Sequence, residues 1–384
     1  MNTTYSASAP LLARRAHTTE PDAERALRVL ADELEADGAS AVLLFCSGAY
    51  ALAPLGGAIA RVFRAPVAAC TAAGQLGPNG FEHGGITGLS LKSSDLEMRP
   101  CLLSPLSLCQ SQAVSLAREQ ARRAAASPGS RSFGVLLVDG SSYDEEYVTA
   151  ALYESLGNVA LVGGSAAASP SYPQPAVYYE GKFLHDAAVL ALFETKHLAF
   201  ETFATQHFVP SETKLVVTLA DPDRRVVYEL NGEPAARAYA SALGMDSAEL
   251  GAKTFACHPL LLDLGEQLFP RAIRARQPDG SLRMAAALEE GLVLSIAKSL
   301  DPVAALERKF AEVEQKVPDP AAVLVFDCVL RRIELEARGL DARVDELMAK
   351  KRAVGFSSYG EQVGPLHVNH SLTGLAIGSR WGQA

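Results

Sequence analysis

Three unbroken apolar runs punctuate the chain: AVLLFC (41–46), GVLLVD (134–139) and AVLVFD (322–327). A strand with one face in water alternates apolar and polar residues, whereas an unbroken run needs cover on both faces, as in a sheet lined by helices. Each run is followed by a helix-like pattern and a second apolar run that ends on a hydroxyl residue, at Thr71, Ser165 and Ser357. In SSYDEEYVTAALYESLG, Ser142 and Glu145 have capping-box spacing, Val148, Ala151, Leu152 and Leu156 form a stripe, and Gly157 ends it. LDARVDELMAKK repeats the stripe with Leu340, Val344, Leu347 and Met348. A lead-in helix after Thr19 and Pro21 gathers Ala23, Ala26, Leu27, Leu30 and Leu34 on one face, and SQAVSLAREQARRAAAS reads as a helix packed outside.

The chain writes one faint phrase near both ends. Residues 68–91 (AACTAAGQLGPNGFEHGGITGLSL) and 354–377 (VGFSSYGEQVGPLHVNHSLTGLAI) align without gaps at an offset of 286, with Gly74/Gly360, Thr87/Thr373, Gly88/Gly374 and Leu89/Leu375 identical. With the mid-chain VALVGGSAA (159–167), this makes three strand–helix–strand units whose first strands end at Cys46, Asp139 and Asp327. The units from the two ends are expected to meet, so that Thr71 and Ser357 border one pocket. Between the second and third units, residues 214–244 read as strand, turn, strand and a helix entered through Gly232 and Pro234; residues 271–296 read as a hairpin on Pro278-Asp279-Gly280 and a further strand. The expected fold is α/β, with mixed, largely parallel sheets built from repeated β-α-β units and an antiparallel insert. The expected division is a flexible tail over 1–19, an α/β domain over 20–213, and a domain over 214–384 with antiparallel strands and a final β-α-β unit.

Composition narrows the chemistry. The net charge of −9 and the lack of a Lys/Arg cluster argue against nucleic acid. No segment has the apolar length of a membrane span, and no cleavable leader pattern opens the chain, so a cytoplasmic location is expected. Six cysteines form no CxxC pair, which points away from a zinc knuckle or disulfide framework.

Ligands of parallel sheets sit beyond the carboxyl ends of strands, where backbone N–H groups are free. Thr71, Gly163, Gly164, Ser165, Ser357, Tyr359 and Glu361 stand at such ends and are candidate ligand-binding residues. Asp139 and Asp327 are candidates for a ligand amine, with helix capping as the simpler role. Arg271 heads RAIRAR and shares a strand face with Ile273 and Ala275, so it should meet a carboxylate in the protein or on a ligand. No GxxxxGK[ST], no GxGxxG after a strand and no GxSxG elbow occurs. A Ser165–His207–Asp139 triad is the form that a rival reading takes, an enzyme acting on a small acyl or amino substrate. Cys46 and Cys328 lie at neighbouring strand-end positions, where a buried packing role outweighs a redox one.

LVGGSAA…YYEGKFLHDAAVLALF, TQHFVPSETKLVVT, VVYELNGEPAARAYASALG, HPLLL, PDGSLRMAAALEEGLVLSIA, VLVFDCVLRRIELEARGL and VGFSSYGEQVGPLHVNHSLTGLAIG together resemble, in order from about residue 20 to 378, proteins with FIST N and FIST C regions. The resemblance implies a cytoplasmic sensory protein of bacterial signal transduction that binds a small molecule such as an amino acid. It further implies a signalling partner such as a histidine kinase. One branch of the family binds haem and senses nitric oxide, so haem b is a candidate cofactor. Haem iron needs a free imidazole facing an apolar pocket. His207, between Phe203 and Phe208 at the junction of the two textures, is the first choice, and His185, followed by Asp186, the second. His367 and His370 share a loop with Asn369 and lack a third ligand, so a loop role is expected for them.

Overall fold

In the computed structural model, which describes residues 10–157, 159–168, 174–265 and 267–379, each apolar run is the central strand of a module. Module one runs through an edge strand (Leu12–Thr18), a helix (Ala23–Glu33), the central strand (Ala41–Ser47), a second helix (Leu52–Val62) and an inner strand (Val67–Ala72). A two-stranded arm (Gln75–Gly77 and Gly80–Glu82) and a return strand (Ile86–Lys92) complete it. Module two repeats the series with edge strand Glu97–Leu103, central strand Arg131–Asp139, inner strand Ala160–Ala166, arm Val177–Tyr179 and Lys182–Leu184, and return strand Ala188–Thr195. Module three has edge strand Ala199–Thr205, central strand Ala322–Cys328, inner strand Ala353–Ser358, arm Glu361–Val363 and Leu366–Val368, and return strand Leu372–Gly378.

In each sheet the order is edge, return, central, inner, then the arm of another module. The first arm extends the third sheet, the second arm the first sheet, and the third arm the second sheet. This cyclic exchange covers every inner-strand edge that would otherwise stand open to pairing. Among the described residues parallel pairing is confined to central with inner strand in each module; the return strand lies antiparallel on the central strand's other side.

The unbroken apolar runs are explained by this arrangement. Leu43 and Phe45, Val135 and Leu137, and Leu324 and Phe326 face a common core enclosed by the three sheets. Their neighbours Val42 and Leu44, Leu136 and Val138, and Val323 and Val325 face the outer helices. At about 25 cal/mol per Å² of apolar surface, such two-sided burial is the dominant stabilisation of each module.

The antiparallel insert between the third edge strand and helix Pro302–Lys316 is an eight-stranded sheet. Its two end strands, Leu268–Arg271 and Ile273–Arg276, are separated in the chain by Ala272 alone, so the sheet nearly closes. Helix Ala235–Leu243 supplies Ala235, Ala236 and Tyr239 to its core.

Three expectations are corrected. Residues 12–18 of the supposed tail pair along their whole length with Ile86–Lys92, while residues 1–9 lie outside the described residues. A boundary at 213/214 falls inside the strand Phe208–Asp221. The capping box does not form: helix Glu145–Leu156 starts from Asp144, and the Ser142 hydroxyl donates to the Asp139 carbonyl at 2.8 Å.

Candidate functional site

Strand register makes Thr71, Ser165 and Ser357 equivalent. Each donates its backbone N–H to the arm base of another module, at Ala176 O (3.0 Å), Gly360 O (2.8 Å) and Gly74 O (2.8 Å) respectively. Ala73 N–H bonds Ser357 O, and Ala167 N–H bonds Thr71 O. The hydroxyl ends therefore meet, as expected, but as a clasp at the centre of the molecule. Thr71 Oγ1 accepts Ala176 N–H at 2.9 Å and Ser165 Oγ accepts Gln362 Nε2 at 2.9 Å, whereas the buried Ser357 hydroxyl has no partner among the described residues.

The glycines and acids have structural work here. Gly163 and Gly164 lie inside the inner strand, paired with Gln362 and Glu361. A Cβ at Gly163 would sit 2.0 Å from Leu136 O, and one at Gly164 2.8 Å from Phe326, so both are required for packing rather than for cradling a ligand. Asp139 accepts Ser141 N–H and hydroxyl on one oxygen and Asp186 N–H on the other, which closes the turn after the strand; the following helix starts from Asp144, so the capping role expected of Asp139 is corrected. Asp327 lies opposite Ser357, but Val138, not Asp139, lies opposite Ser165; the two acids are not equivalent. Asp327 instead accepts Arg331 Nε at 2.6 Å.

The three arms can be compared position by position, because they share one register. Where the first arm pairs Leu76 with Phe81 and the second Tyr178 with Phe183, the third pairs Gln362 with His367. Both polar residues are buried. His367 Nδ1 lies 3.2 Å from Gln362 Nε2, and its Nε2 lies 3.4 Å from Asn369 Nδ2. Burial lowers the His367 pKa, so the ring is neutral, with one N–H and one lone pair. One of the two amides therefore presents its oxygen to the ring, and turning it exchanges which amide end is unpaired without removing the deficit. His370 follows in the same arm at φ 49°, equivalent to Gly84 (78°) and Asp186 (47°). It is fully buried, with both ring nitrogens unpartnered among the described residues, and burial pushes its pKa down to about 3.

Beside this arm packs the insert's strand Leu268–Arg271. Arg271 is half-buried over the Phe269 ring (5.6 Å), and its Nε and Nη1 are shut off from water without a partner among the described residues. Burial lowers its pKa, and Glu146 opposes the shift. Arg274 lies over Tyr359 (5.2 Å), whose hydroxyl reaches Ala168 O at 3.4 Å. Arg225, fully buried, donates to Glu145 (2.7 Å), Glu146 (3.1 Å) and two carbonyls, docking the insert on module two. Glu361 is enclosed, accepts the Ser358 and Ser371 hydroxyls at 2.7 Å each, and is pushed by burial up to about 8.

His207 cannot serve as the iron ligand in this arrangement. Its Nε2 faces Glu334 Oε2 at 2.8 Å and its Nδ1 faces Arg331 Nη1 at 2.9 Å; since guanidinium only donates, Nδ1 accepts and Nε2–H donates. His185 stands exposed on the second arm, with Nδ1 2.7 Å from Pro175 O. One histidine lacks a free nitrogen and the other an enclosed pocket, so neither fits haem. Among the described residues no group of three or more His, Cys, Asp or Glu is placed to hold a metal ion. Ser165, His207 and Asp139 belong to three separate networks, so the triad is not assembled. Cys46, Cys70 and Cys328 are buried, and burial raises each thiol.

An open groove of about 560 Å³, bordered by Ala117, Leu156 and Phe200, lies elsewhere. Its buried polar member, Gln120, is already paired with Arg99 and Ser132. The seam between the third arm and the insert is the better candidate, because its polar groups lack partners. Gln362, His367, Asn369 and His370 were not singled out as ligand-binding residues from sequence. The signal was present in the offset of 286, which sets Leu76 against Gln362 and Phe81 against His367.

No curated protein matches the chain. One solved structure, phosphoribosylformylglycinamidine synthase II from Thermotoga maritima, is similar at 7% identity with a TM-score of 0.22, over 98% of this chain and 75% of that one. A score that low carries no argument about fold or function. Family models described as FIST N domain and FIST C domain match residues 40–233 and 235–364. These domains are associated with sensory signalling and small-ligand binding. With both regions matched in order over most of its length, the chain belongs to the FIST family.

Proposed function

We propose that this protein is a cytoplasmic sensor that takes a small carboxylate-bearing metabolite, such as an amino acid, in the seam between the third arm and the insert. Occupancy is relayed to a signalling partner such as a histidine kinase. One observation supports the reading above the others. Of twelve buried side-chain nitrogen and oxygen atoms without a partner among the described residues, six belong to Arg271, Gln362, Asn369 and His370. Folded proteins pair nearly all such atoms, and each orphan costs about 1–3 kcal/mol. A concentration of them beside an unpaired guanidinium suits an anionic ligand whose polar groups complete the network.

The test is a thermal-shift and calorimetric screen of amino acids and small carboxylates against wild type, Arg271→Met, and the double variant Gln362→Leu/His367→Phe. The double variant gives the third arm the pairing of the first. A ligand at a hundred times its Kd should stabilise wild type by about 2.7 kcal/mol. Both variants should fold and lose that response. Binding that survives in both variants would refute the seam as the site.

A further inference from the structure

The chain passes between module three and the insert twice, through residues 206–207 after the edge strand and through 300–301 before helix Pro302–Lys316. The crossings run side by side: Phe208 pairs with Ser299, and Leu300 N–H bonds His207 O at 2.8 Å. One face of a single helix, Val329–Arg338, holds both. Glu334, fully buried, takes His207 Nε2–H on one oxygen and the Ser299 hydroxyl on the other. Arg338 bonds the same carboxylate at 2.9 Å and also donates to Leu300 O at 3.0 Å. Arg331, anchored on Asp327, donates to His207 Nδ1. The three residues recur at i, i+3 and i+7, so their side chains share one helical face.

The same contacts adjoin the seam. Phe208, the first insert residue, packs on His207 (ring centroids 4.3 Å apart) and edge-on against His370 of the third arm (5.6 Å). Any rotation of the insert about its two crossings changes the distance between Arg271 and the arm. We propose that Glu334, with Arg331 and Arg338, is a latch that fixes the orientation of the insert over the third arm, coupling the insert's position to the state of the seam. The latch is a geometric claim about the crossings; only its coupling to a ligand rests on the function proposed above. A two-position element of this kind is what a relay requires, since a ligand shifts an equilibrium only by preferring one state.

Hydrogen exchange of the full chain, without added ligand, tests the latch independently of the metabolite screen. In Glu334→Gln, amides of peptides spanning 203–210 and 297–303 should exchange together at least tenfold faster. The central strands of the modules and the Val226–Leu230 strand of the insert should keep their wild-type protection. Unchanged exchange at the crossings, or loosening of one crossing alone, would overturn the proposal. Should Glu334→Gln unfold globally, the double variant Ser299→Ala/Arg338→Gln, which leaves the His207–Glu334 bond intact, decides: paired loosening supports the latch and wild-type protection refutes it. A metabolite response in wild type with no latch behaviour would leave the seam standing and remove the latch alone.

Discussion

Replacing Arg271 by methionine should make the ligand-free protein more stable while abolishing its response to ligand. The guanidinium carries two water-excluded nitrogens without a partner, and removing an unpaired buried polar group recovers about 1–3 kcal/mol. Against this stands the loss of the cation–π contact with Phe269, worth about 0.5–1 kcal/mol. Methionine keeps the unbranched stem, so little packing is lost. The two ranges leave a net gain of about 0–2.5 kcal/mol, about 1 kcal/mol at their midpoints. For 384 residues, an unfolding entropy of about 2.1 cal/mol/K per residue gives about 0.8 kcal/mol per degree, or a rise of about 1–2 °C in Tm. Differential scanning calorimetry without ligand measures it directly. A Tm lowered by several degrees would refute the reasoning, because it would show that Arg271 holds the fold together rather than waiting for a partner.

Two further outcomes follow from buried charge. Glu361, raised to about 8, favours folding fully below its unfolded pKa near 4.5 and loses that contribution as pH rises through 8; His370, lowered to about 3, acts oppositely between pH 3 and 6.5. The two slopes cancel between about 4.5 and 6.5, so stability should fall by about 2 kcal/mol from pH 6.5 to 8, at about 1.4 kcal/mol per unit, and Glu361→Gln should flatten that limb in urea titrations. Arg225→Met strands the buried Glu145 carboxylate and should cost about 3–5 kcal/mol by chemical denaturation, with most of it restored by adding Glu145→Leu.

What the sequence determined by itself was the repeating unit. Unbroken apolar runs require cover on both faces, and three of them, each followed by a helix and a hydroxyl-ended strand, specify three modules whatever their arrangement in space. The Pro278-Asp279-Gly280 turn and the strand patterns around it likewise marked the insert, because turn chemistry is local. The exchange of arms was decided only by tertiary structure. Pairing Gln75 with Phe356, or Glu361 with Gly164, joins residues nearly two hundred positions or more apart, and nothing in a three-residue strand names its partner. The site follows the same division. Arg271 was legible as an arginine on an apolar strand face, since alternation is local. His207 looked free beside two phenylalanines, yet Glu334 and Arg331, more than a hundred residues away, occupy both of its nitrogens. Gln362 and His367 look like loop polarity until register sets them against Leu76 and Phe81, where burial turns an ordinary amide and imidazole into groups that need a partner.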